Sequence, residues 1–587
     1  MAKKINSHFI FYLFFTIFLL TINTKIECQE TLGESLYDNH CSDCHSLNLR
    51  GSAHGSSLKG KEFIAKWEKD GLNSLFEYTK ENMPPGKVGS LDNTDLLEIH
   101  NYILASNQIP ANDGFVSFSD PSTIDQPEDR VSNFKNKRLN NFKNISLQDV
   151  NYPPDSDWLS WRRTTDGKGY SPLKIINTKN IKNIKLSWSL TMNEGSNQIT
   201  PIVSQGIMFL TNPGNIIQAL DAKNGELIWE YKYSFPKASK TLGGPTRNIA
   251  VYQDKIFLAT YDAHLIALDI RTGKLIWKTK KAKYEDGYTH TSGPIIANGI
   301  VVSGINGCER YIKEGCFVTG HDPDTGKEIW RTSTVAQSED KYGYTWGETP
   351  SVFRAGGDTW IPGSYDPKLN LFFIGTSQAK PWVAASRGMT PKNSALYTNS
   401  TLALNPNNGD LEWFYQHIPG ETIDMEVGFE RVLIDRKNKK YLFTVGKDGI
   451  LWKIDRKNGD FINLLETVNQ NIYENIDYKT GELSYREDIL NSKIDKAFSV
   501  CPGIYGGHNW QAISYDEITS SLIIPLHQLC ADMIGRKVER IEGSGGFGAD
   551  SKSYPLPDAN GKIGKLISVN IDKMKINWTH EQEAMFL

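Results

Sequence analysis

The chain has 587 residues, of which 39% are hydrophobic and 23% are charged, and its formal net charge is -3 at pH 7. This composition is typical of a globular protein with more than one domain, and the near-neutral charge gives no support for a nucleic-acid partner. The 49 Gly, 14 Trp and 25 Tyr argue against a helix-rich protein and favour many strands joined by turns.

Residues 1–28 have the layout of a secretory signal. Lys3 and Lys4 precede an apolar run over residues 9–20, which is short for a membrane span, and polar residues follow it. We therefore expect this segment to be removed and the mature chain to reach the periplasm. An uncleaved N-terminal anchor is the alternative. Cys28 does not indicate a lipoprotein, because the three residues before it are a poor match to a lipidation site.

The motif CSDCH, residues 41–45, carries the first recognisable chemistry. Two cysteines in C-x-x-C spacing can form thioether bonds to both vinyl groups of a haem, and the histidine that follows can ligate its iron. A zinc knuckle and a redox-active cysteine pair are the alternatives. The trailing histidine and the export signal favour a haem c.

A possible second ligand to the haem iron follows in the rigid loop MPPG, which begins at Met83. Its thioether suits the sixth coordination site, although a methionine alone is also a common core residue. Residues 96–105 have the apolar spacing of a short amphipathic helix. Together these motifs resemble a small class I c-type cytochrome over about residues 30–106. The resemblance implies haem attachment at Cys41 and Cys44, proximal ligation by His45 and distal ligation by Met83.

Residues 107–156 are rich in Pro, Asp, Asn and Lys and contain few apolar runs. We interpret them as a linker, ordered only in part, whose length would let the cytochrome dock onto the next domain. The second domain is expected to begin at residue 157.

A repeated pattern organises this second domain. In DAKNGELIWE, residues 221–230, a Gly follows the Asp by four positions and a Trp follows it by eight. Clean copies are Asp221/Gly225/Trp229, Asp269/Gly273/Trp277, Asp322/Gly326/Trp330 and Asn405/Gly409/Trp413, and weaker ones are Asp455/Gly459/Asn463 and Asn570/Met574/Trp578. One copy alone would indicate only a common hairpin turn. Repetition at roughly fifty residues predicts the blades of a β-propeller.

Residues 157–587 resemble the quinoprotein alcohol dehydrogenases in several longer strings. These are TPIVSQGIMFLTNPGNIIQALDAKNGELIW, GGDTWIPGSYDPKLNLFFIGT, LYTNSTLALNPNNG and GGHNW. The resemblance implies a mainly β fold, an eight-bladed propeller that binds pyrroloquinoline quinone (PQQ) and a calcium or lanthanide ion, preceded here by the small all-α cytochrome c domain. That domain order is similar to the polyvinyl-alcohol type. Relatives of full length continue for roughly two more blades, so we expect a truncated product or a separate polypeptide that completes the ring.

Oxidising an alcohol by hydride transfer needs a base for the hydroxyl proton, an electron sink and a Lewis acid. The resemblance assigns the base to Asp424, for which a turn-capping role is the alternative. Glu426 matches a further carboxylate that supports a lanthanide in some relatives. Glu309 matches a metal-binding glutamate, with a surface salt bridge as the alternative, and Gln378 stands where the family has a metal-binding asparagine.

The resemblance also implies a set of quinone contacts. Trp360 would form an aromatic floor beneath the quinone, although a tryptophan in a propeller often serves blade packing. The remaining expected contacts are Lys447, Arg247, Thr291, Asn509 and Gln198, the last in place of a usual glutamate. Thr241 and Leu242 stand where many relatives have an adjacent cysteine pair.

Four further cysteines lie in the second domain at positions 308, 316, 501 and 530. In an oxidising compartment two structural disulfides are expected, but the sequence leaves their pairing open.

The whole chain is therefore expected to be an exported quinohaemoprotein alcohol dehydrogenase that passes electrons through its haem to an external cytochrome or another respiratory carrier. The alternatives are a sugar or polyol dehydrogenase of the same fold and a non-catalytic propeller scaffold.

Overall fold

The computed structural model describes residues 32–45, 49, 56–70, 72–84, 90–109, 130–133, 137–236 and 244–586. The predicted signal segment 1–28, together with Thr241 and Leu242, lies outside these residues. Within the described ranges no helix combines the length and the apolar character that crossing a membrane requires.

The N-terminal part of the described chain is helical. It contains α1 (Leu32–His40), α2 (Ser42–His45), α3 (Lys61–Asp70), α4 (Leu72–Asn82) and α5 (Asn93–Ser106). Asp92 caps α5 by accepting the N–H groups of Thr94 and Asp95. The apolar face of α5 is buried at Ile99 and Ile103 in one cluster with residues of α1, α3 and α4. The amphipathic helix predicted over residues 96–105 is thus confirmed.

The rest of the described chain is dominated by antiparallel sheets, and each of the first three is built from strands that are consecutive in the chain. The first contains β1 (Arg130–Asn133), β2 (Ile202–Ser204), β3 (Ile207–Asn212), β4 (Ile216–Asp221) and β5 (Leu227–Lys232). The second contains β6 (Ala250–Tyr252), β7 (Lys255–Ala259), β8 (His264–Asp269) and β9 (Leu275–Lys280). The third contains β10 (Ile295–Ala297), β11 (Ile300–Ser303), β12 (Phe317–His321) and β13 (Glu328–Ser333).

The strands of the fourth sheet alternate along the chain with those of a small two-stranded sheet, and the fifth sheet follows. The chain forms β14 (Ala355–Gly356), β15 (Ser364–Asp366), β16 (Leu371–Gly375), β17 (Ala379–Lys380), β18 (Ser400–Leu404) and β19 (Leu411–Gln416). Here β15, β16, β18 and β19 make the fourth sheet, while β14 pairs with β17. The fifth sheet contains β20 (Val432–Arg436), β21 (Lys439–Val445), β22 (Ile450–Asp455) and β23 (Phe461–Glu466).

The last described stretch holds the sixth sheet and two smaller ones. Its elements are β24 (Tyr473–Ile476), β25 (Leu483–Tyr485), α7 (Glu487–Leu490), β26 (Ala497–Val500), β27 (Ser514–Asp516), β28 (Ser521–His527), β29 (Leu529–Gly535), β30 (Ala549–Pro555), β31 (Gly564–Asn570) and β32 (Lys575–Gln582). The sixth sheet is β27-β28-β31-β32, β24 pairs with β25, and β26, β29 and β30 form a three-stranded sheet.

The repeated Trp and Gly connect successive sheets from the first to the fifth. Trp229 of β5 packs under the β8–β9 turn, where a Cβ added to Gly273 would lie 2.6 Å from the indole. The Trp229 ring N–H donates to the Ile270 carbonyl at that turn. Trp277 and Gly326 repeat the same contact one sheet later. The sequence repeat therefore encodes the packing between successive blades, because only a residue without a side chain leaves room for the indole.

Part of the predicted linker belongs to the sheet domain. Residues Leu147–Asn151 form helix α6, and β1 adds to the outer edge of the first sheet by pairing with β5. Leu139, Phe142 and Ile145 are buried in the core beneath the first two sheets. The segment 137–156, which the sequence indicated as a linker, thus packs against the propeller.

Candidate active site

Asp424 lies in the loop between β19 and β20. Its backbone adopts φ = 133°, a conformation that a residue with a side chain rarely adopts. Glu421 stabilises the loop, since its Oε1 accepts the N–H groups of Ile423, Asp424 and Met425 at 2.5, 2.7 and 2.9 Å. This network of local bonds offsets the backbone strain and fixes the position of Asp424.

The Asp424 carboxylate lies at the centre of a buried polar cluster. The Lys447 ammonium donates to Asp424 Oδ2 at 2.8 Å and lies 3.4 Å from Glu426 Oε1. The Gln378 side-chain amide donates to Asp424 Oδ1. The Trp360 ring N–H donates to Glu426 Oε2 at 2.7 Å. The structure thus gathers five predicted site residues from separate stretches of the chain into one cluster.

The two carboxyl groups of this cluster differ in their proton affinity. Burial raises the pKa of Asp424 to about 7, with Lys447 lowering it and Glu426 raising it further. Burial also acts to raise the pKa of Glu426, but the ammonium groups of Lys447 and Lys380 outweigh it, so that pKa is lowered. Asp424 can therefore exchange a proton near neutral pH, which suits a general base, whereas Glu426 stays ionised.

Glu309 joins the cluster through Lys380, whose Nζ lies 3.4 Å from Glu309 Oε1. Asp358 lies beside this pair and accepts the Cys308 backbone N–H at 3.1 Å. Burial and the nearby Glu309 raise the pKa of Asp358 to about 7. The sequence reasoning missed Lys380 and Asp358. Their only local signal was position, since Lys380 lies two residues after Gln378 and Asp358 lies two residues before Trp360.

Arg247 and Trp360 form the other side of the site. The Arg247 guanidinium lies 4.5 Å from the centroid of the Trp360 ring, and its Nη1 donates to the Thr291 carbonyl at 2.8 Å. Burial lowers the pKa of Arg247 to about 9. Trp360 is only partly buried and packs edge-on against Phe429. An aromatic face beside a buried cation suits a planar, anionic ligand.

The donors present fit both groups that the resemblance implies. Gln378 Oε1 is buried and has no hydrogen-bond partner among the described residues, so an oxygen is left for a hard cation beside Glu309, Asp424 and Glu426. Arg247 Nε and Gln198 Oε1 are likewise buried without a partner in the described ranges. Such orphaned polar atoms indicate a ligand that completes their hydrogen bonds.

Two of the predicted quinone contacts, Gln198 and Asn509, are not bonded directly to the Asp424 cluster among the described residues. In the part of the chain that is described, no hydrogen bond or ion pair joins Gln198 or Asn509 to the Asp424 cluster. The Asn509 side chain accepts the N–H of Trp510, and Trp510 packs in the same aromatic group as Trp360.

Both disulfides proposed from the sequence are formed, as Cys308–Cys316 and Cys501–Cys530. Their pairing, which the sequence left open, is decided by the fold. The first lies next to the cation donors, since Cys308 directly precedes Glu309 in the chain.

The CSDCH motif spans the junction of α1 and α2. His45 is buried, and its Nδ1 lies 2.7 Å from the Ser56 carbonyl. A proton on Nδ1 would be donated to that carbonyl, which leaves Nε2 as the ligand atom for iron. Cys41 and Cys44 are half-buried and take part in no disulfide, as haem attachment requires. Met83 is half-buried just after α4.

Comparison with known proteins agrees with this geometry. Residues 158–469 match the family described as glucose/ethanol/alcohol dehydrogenase, beta-propeller domain, which is the PQQ family. The chain belongs to this PQQ dehydrogenase family. Residues 29–103 match the family described as cytochrome C oxidase, cbb3-type, subunit III. The predictions of a mainly β propeller domain and of a helical cytochrome c domain in front of it are thereby confirmed.

Two relatives of the chain are named as alcohol dehydrogenases. The chain is 33% identical over 399 residues to the quinohemoprotein alcohol dehydrogenase ADH-IIG of Pseudomonas putida, covering 64% of this chain and 55% of that protein. It is 31% identical over 434 residues to the dehydrogenase subunit of the quinone alcohol dehydrogenase of Gluconacetobacter polyoxogenes, covering 69% of this chain and 58% of that subunit. The chain thus spans little more than half the length of these two relatives.

Two solved structures resemble the fold of this chain. The structure of ADHIIG from Pseudomonas putida HK5 superposes with a TM-score of 0.68 at 29% identity, over 75% of this chain and 69% of that one. A europium-containing methanol dehydrogenase superposes with a TM-score of 0.65 at 25% identity, over 74% of this chain and 80% of that one.

Proposed function

We propose that this chain oxidises an alcohol with PQQ as the hydride acceptor and passes the electrons to its own haem c. The observation that carries the proposal is Asp424, a buried carboxyl with a pKa of about 7 that is hydrogen-bonded to Lys447 beside the partly exposed Trp360. A base with this pKa matches removal of a hydroxyl proton near neutral pH.

In this proposal Asp424 accepts the hydroxyl proton of the alcohol at a carboxylate oxygen. Lys447 stabilises the ionised carboxylate before the transfer, and Glu421 keeps it in position through the backbone of the loop. The burial of both groups excludes water, which strengthens these electrostatic interactions.

PQQ supplies an electron sink for a hydride when it is bound, and the cation makes that sink more electrophilic. We assign the cation to oxygens of Glu309, Gln378, Asp424 and Glu426. We assign the quinone to Trp360, Arg247, Thr291, Lys447, Gln198 and Asn509. The aromatic face of Trp360 and the free Nε of Arg247 support this assignment.

Haem c supplies a one-electron carrier when it is attached. We assign its thioether bonds to Cys41 and Cys44, its proximal ligand to His45 and its distal ligand to Met83. The bond between His45 and Ser56 supports the proximal role, because it orients the imidazole. We place the reaction in the periplasm, with an external cytochrome or another respiratory carrier as the final acceptor.

The proposal is tested by the visible spectrum of the full chain made with haem and supplied with PQQ and either Ca2+ or a lanthanide. We expect the haem bands to become reduced when a primary alcohol is added. Parallel additions of sugars and polyols distinguish the sugar dehydrogenase alternative. Absence of reduction with every substrate and metal, in protein shown to contain haem, would instead favour a propeller scaffold.

A further inference from the structure

The candidate cation site contains two ammonium groups as well as carboxylates. Lys447 pairs with Asp424 and Glu426, on the side of the proposed base. Lys380 pairs with Glu309, with 6% of the Lys380 side chain and 21% of the Glu309 side chain exposed. All three carboxylates assigned to the cation therefore already face an ammonium group of the protein.

The position of Lys380 is fixed by its surroundings. It belongs to β17, where it lies opposite Ala355 of β14. Its ammonium lies 5.4 Å from the centroid of the Phe547 ring, and Phe547 in turn stacks on Trp382 at 4.5 Å. Because the side chain is buried between these groups, the ammonium is held on the Glu309 side of the cluster.

The Asp358 carboxylate balances the positive charge that Lys380 brings to the cluster. Its carboxylate accepts the Cys308 N–H at 3.1 Å and the Ser377 hydroxyl at 3.4 Å, so it is held on the Glu309 side of the cluster. Glu309, Asp358, Glu426 and Asp424 are the groups that favour the charged form of Lys380. A bound cation in turn favours the ionised form of the carboxyl groups.

The charge of the cluster follows from these groups. The four carboxylates and the two ammonium groups of Lys380 and Lys447 leave a net charge of −2 when all are ionised. Within this set of six groups a divalent ion neutralises the charge, whereas a trivalent ion leaves one more positive charge; Arg247 adds the same background charge in both cases. Uncompensated charge is costly where water is excluded. Without Lys380 the same cluster would match a trivalent ion.

We propose that Lys380 is a specificity-determining residue for the metal ion, whose fixed ammonium disfavours trivalent lanthanides relative to Ca2+. The inference rests on the proposed function, because it concerns the same cation site. The ammonium repels a trivalent ion by one unit of charge more than a divalent ion. At the separations found in this cluster, that difference corresponds to at least about a tenfold change in relative affinity.

The test measures metal binding to the full chain without substrate. Terbium binding is followed by its luminescence, which Trp360 can sensitise because its indole lies next to Glu426, an assigned ligand. Ca2+ binding is measured by competition. The variant Lys380→Met removes the charge and keeps the length of the side chain. We expect it to raise the affinity for Tb3+ over that for Ca2+ by at least about tenfold.

Two controls accompany this variant. Lys380→Arg keeps the charge and should keep the wild-type preference. Lys453→Met removes another buried ammonium, which hydrogen-bonds to the Ile571 carbonyl, and should also leave the preference unchanged. Circular dichroism checks that each variant is folded.

The possible failures are distinguishable. If both ions bind and Lys380→Met leaves their relative affinity unchanged, the role of Lys380 is refuted while the cation site stands. If the wild-type chain binds neither ion and Lys380→Met binds Ca2+, Lys380 excludes metal and the inference is overturned. If no variant binds either ion, the cation site and the proposed function fail together.

Discussion

The Lys447 ammonium lies 2.8 Å from Oδ2 of Asp424, and both side chains are buried. Burial alone would keep the Asp424 carboxyl protonated well above its ordinary pKa, and the ammonium partly reverses that effect. The pair therefore sets the pH at which Asp424 can act as a base.

Replacing Asp424 by Asn should abolish most of the alcohol oxidation. An amide cannot accept the hydroxyl proton, and loss of a general base typically costs about 10²- to 10⁴-fold in rate. Steady-state rates with a dye acceptor measure the effect, and a fluorescence titration checks that PQQ still binds. Wild-type rates in the folded, PQQ-loaded variant would contradict the assignment.

Replacing Lys447 by Met should move the acid limb of the pH–rate profile to higher pH. Since the ammonium lowers the pKa of Asp424, its removal raises that pKa, and less of the carboxyl is ionised at pH 7. The profile of kcat/KM against pH at saturating PQQ measures the shift. The control is Lys453→Met, which should keep the wild-type limb. An unchanged limb in the Lys447 variant would rule out Asp424 as the titrating base.

Asp448 should make the stability of the propeller depend on pH. Its carboxyl is buried, one oxygen accepts the Ile450 N–H, and burial raises its pKa to about 8. Between about pH 4 and 8 the folded state therefore keeps a proton on Asp448 that the unfolded state has released. The free energy of unfolding then falls as pH rises, by at most about 1.4 kcal/mol per pH unit. Asp448→Asn removes this contribution.

The measurement is urea denaturation of the wild type and of Asp448→Asn at pH 5 and pH 8, followed by tryptophan fluorescence. The variant should gain stability relative to the wild type at the higher pH. Other buried carboxyl groups are common to both proteins, so they cancel in the difference. The same difference at both pH values would mean that Asp448 is ionised throughout.

The contact between Trp229 and Gly273 should be essential for blade packing. A Cβ at Gly273 would lie 2.6 Å from the indole, and its φ of +70° adds backbone strain. We expect Gly273→Ala to cost about 2 to 4 kcal/mol, from steric overlap and strain together. Gly561 has φ of +80° and no atom within 4 Å of its added Cβ, so Gly561→Ala tests the strain alone. In thermal denaturation, Gly273→Ala should lose more stability than Gly561→Ala.

The double variant Cys41→Ser and Cys44→Ser should lose covalent haem. Neither cysteine is in a disulfide, and both precede the buried His45. Haem staining after denaturing electrophoresis should be absent, while the dye-linked alcohol oxidation of the propeller should remain. Haem retained through denaturation in the variant would contradict attachment at these cysteines.

Local patterns in the sequence were sufficient for much of this structure. The repeat of Asp221, Gly225 and Trp229 predicted the hairpins correctly, because a turn depends on residues a few positions apart. The helix over residues 96–105 followed from apolar spacing in the same way. The position of Asp424 came from family resemblance, and the structure adds its hydrogen bonds and its raised pKa.

The parts that the sequence could not reveal depend on contacts between distant segments. Lys380 and Glu309 are 71 residues apart, and the segment 137–156 packs on strands more than fifty residues further along the chain. The order of the amino acids by itself determined the blade repeat, the haem motif and the types of chemical group available to the site. Only the tertiary structure decided which of those groups share one buried cluster, because charge, burial and pKa depend on distance in space and not on separation along the chain.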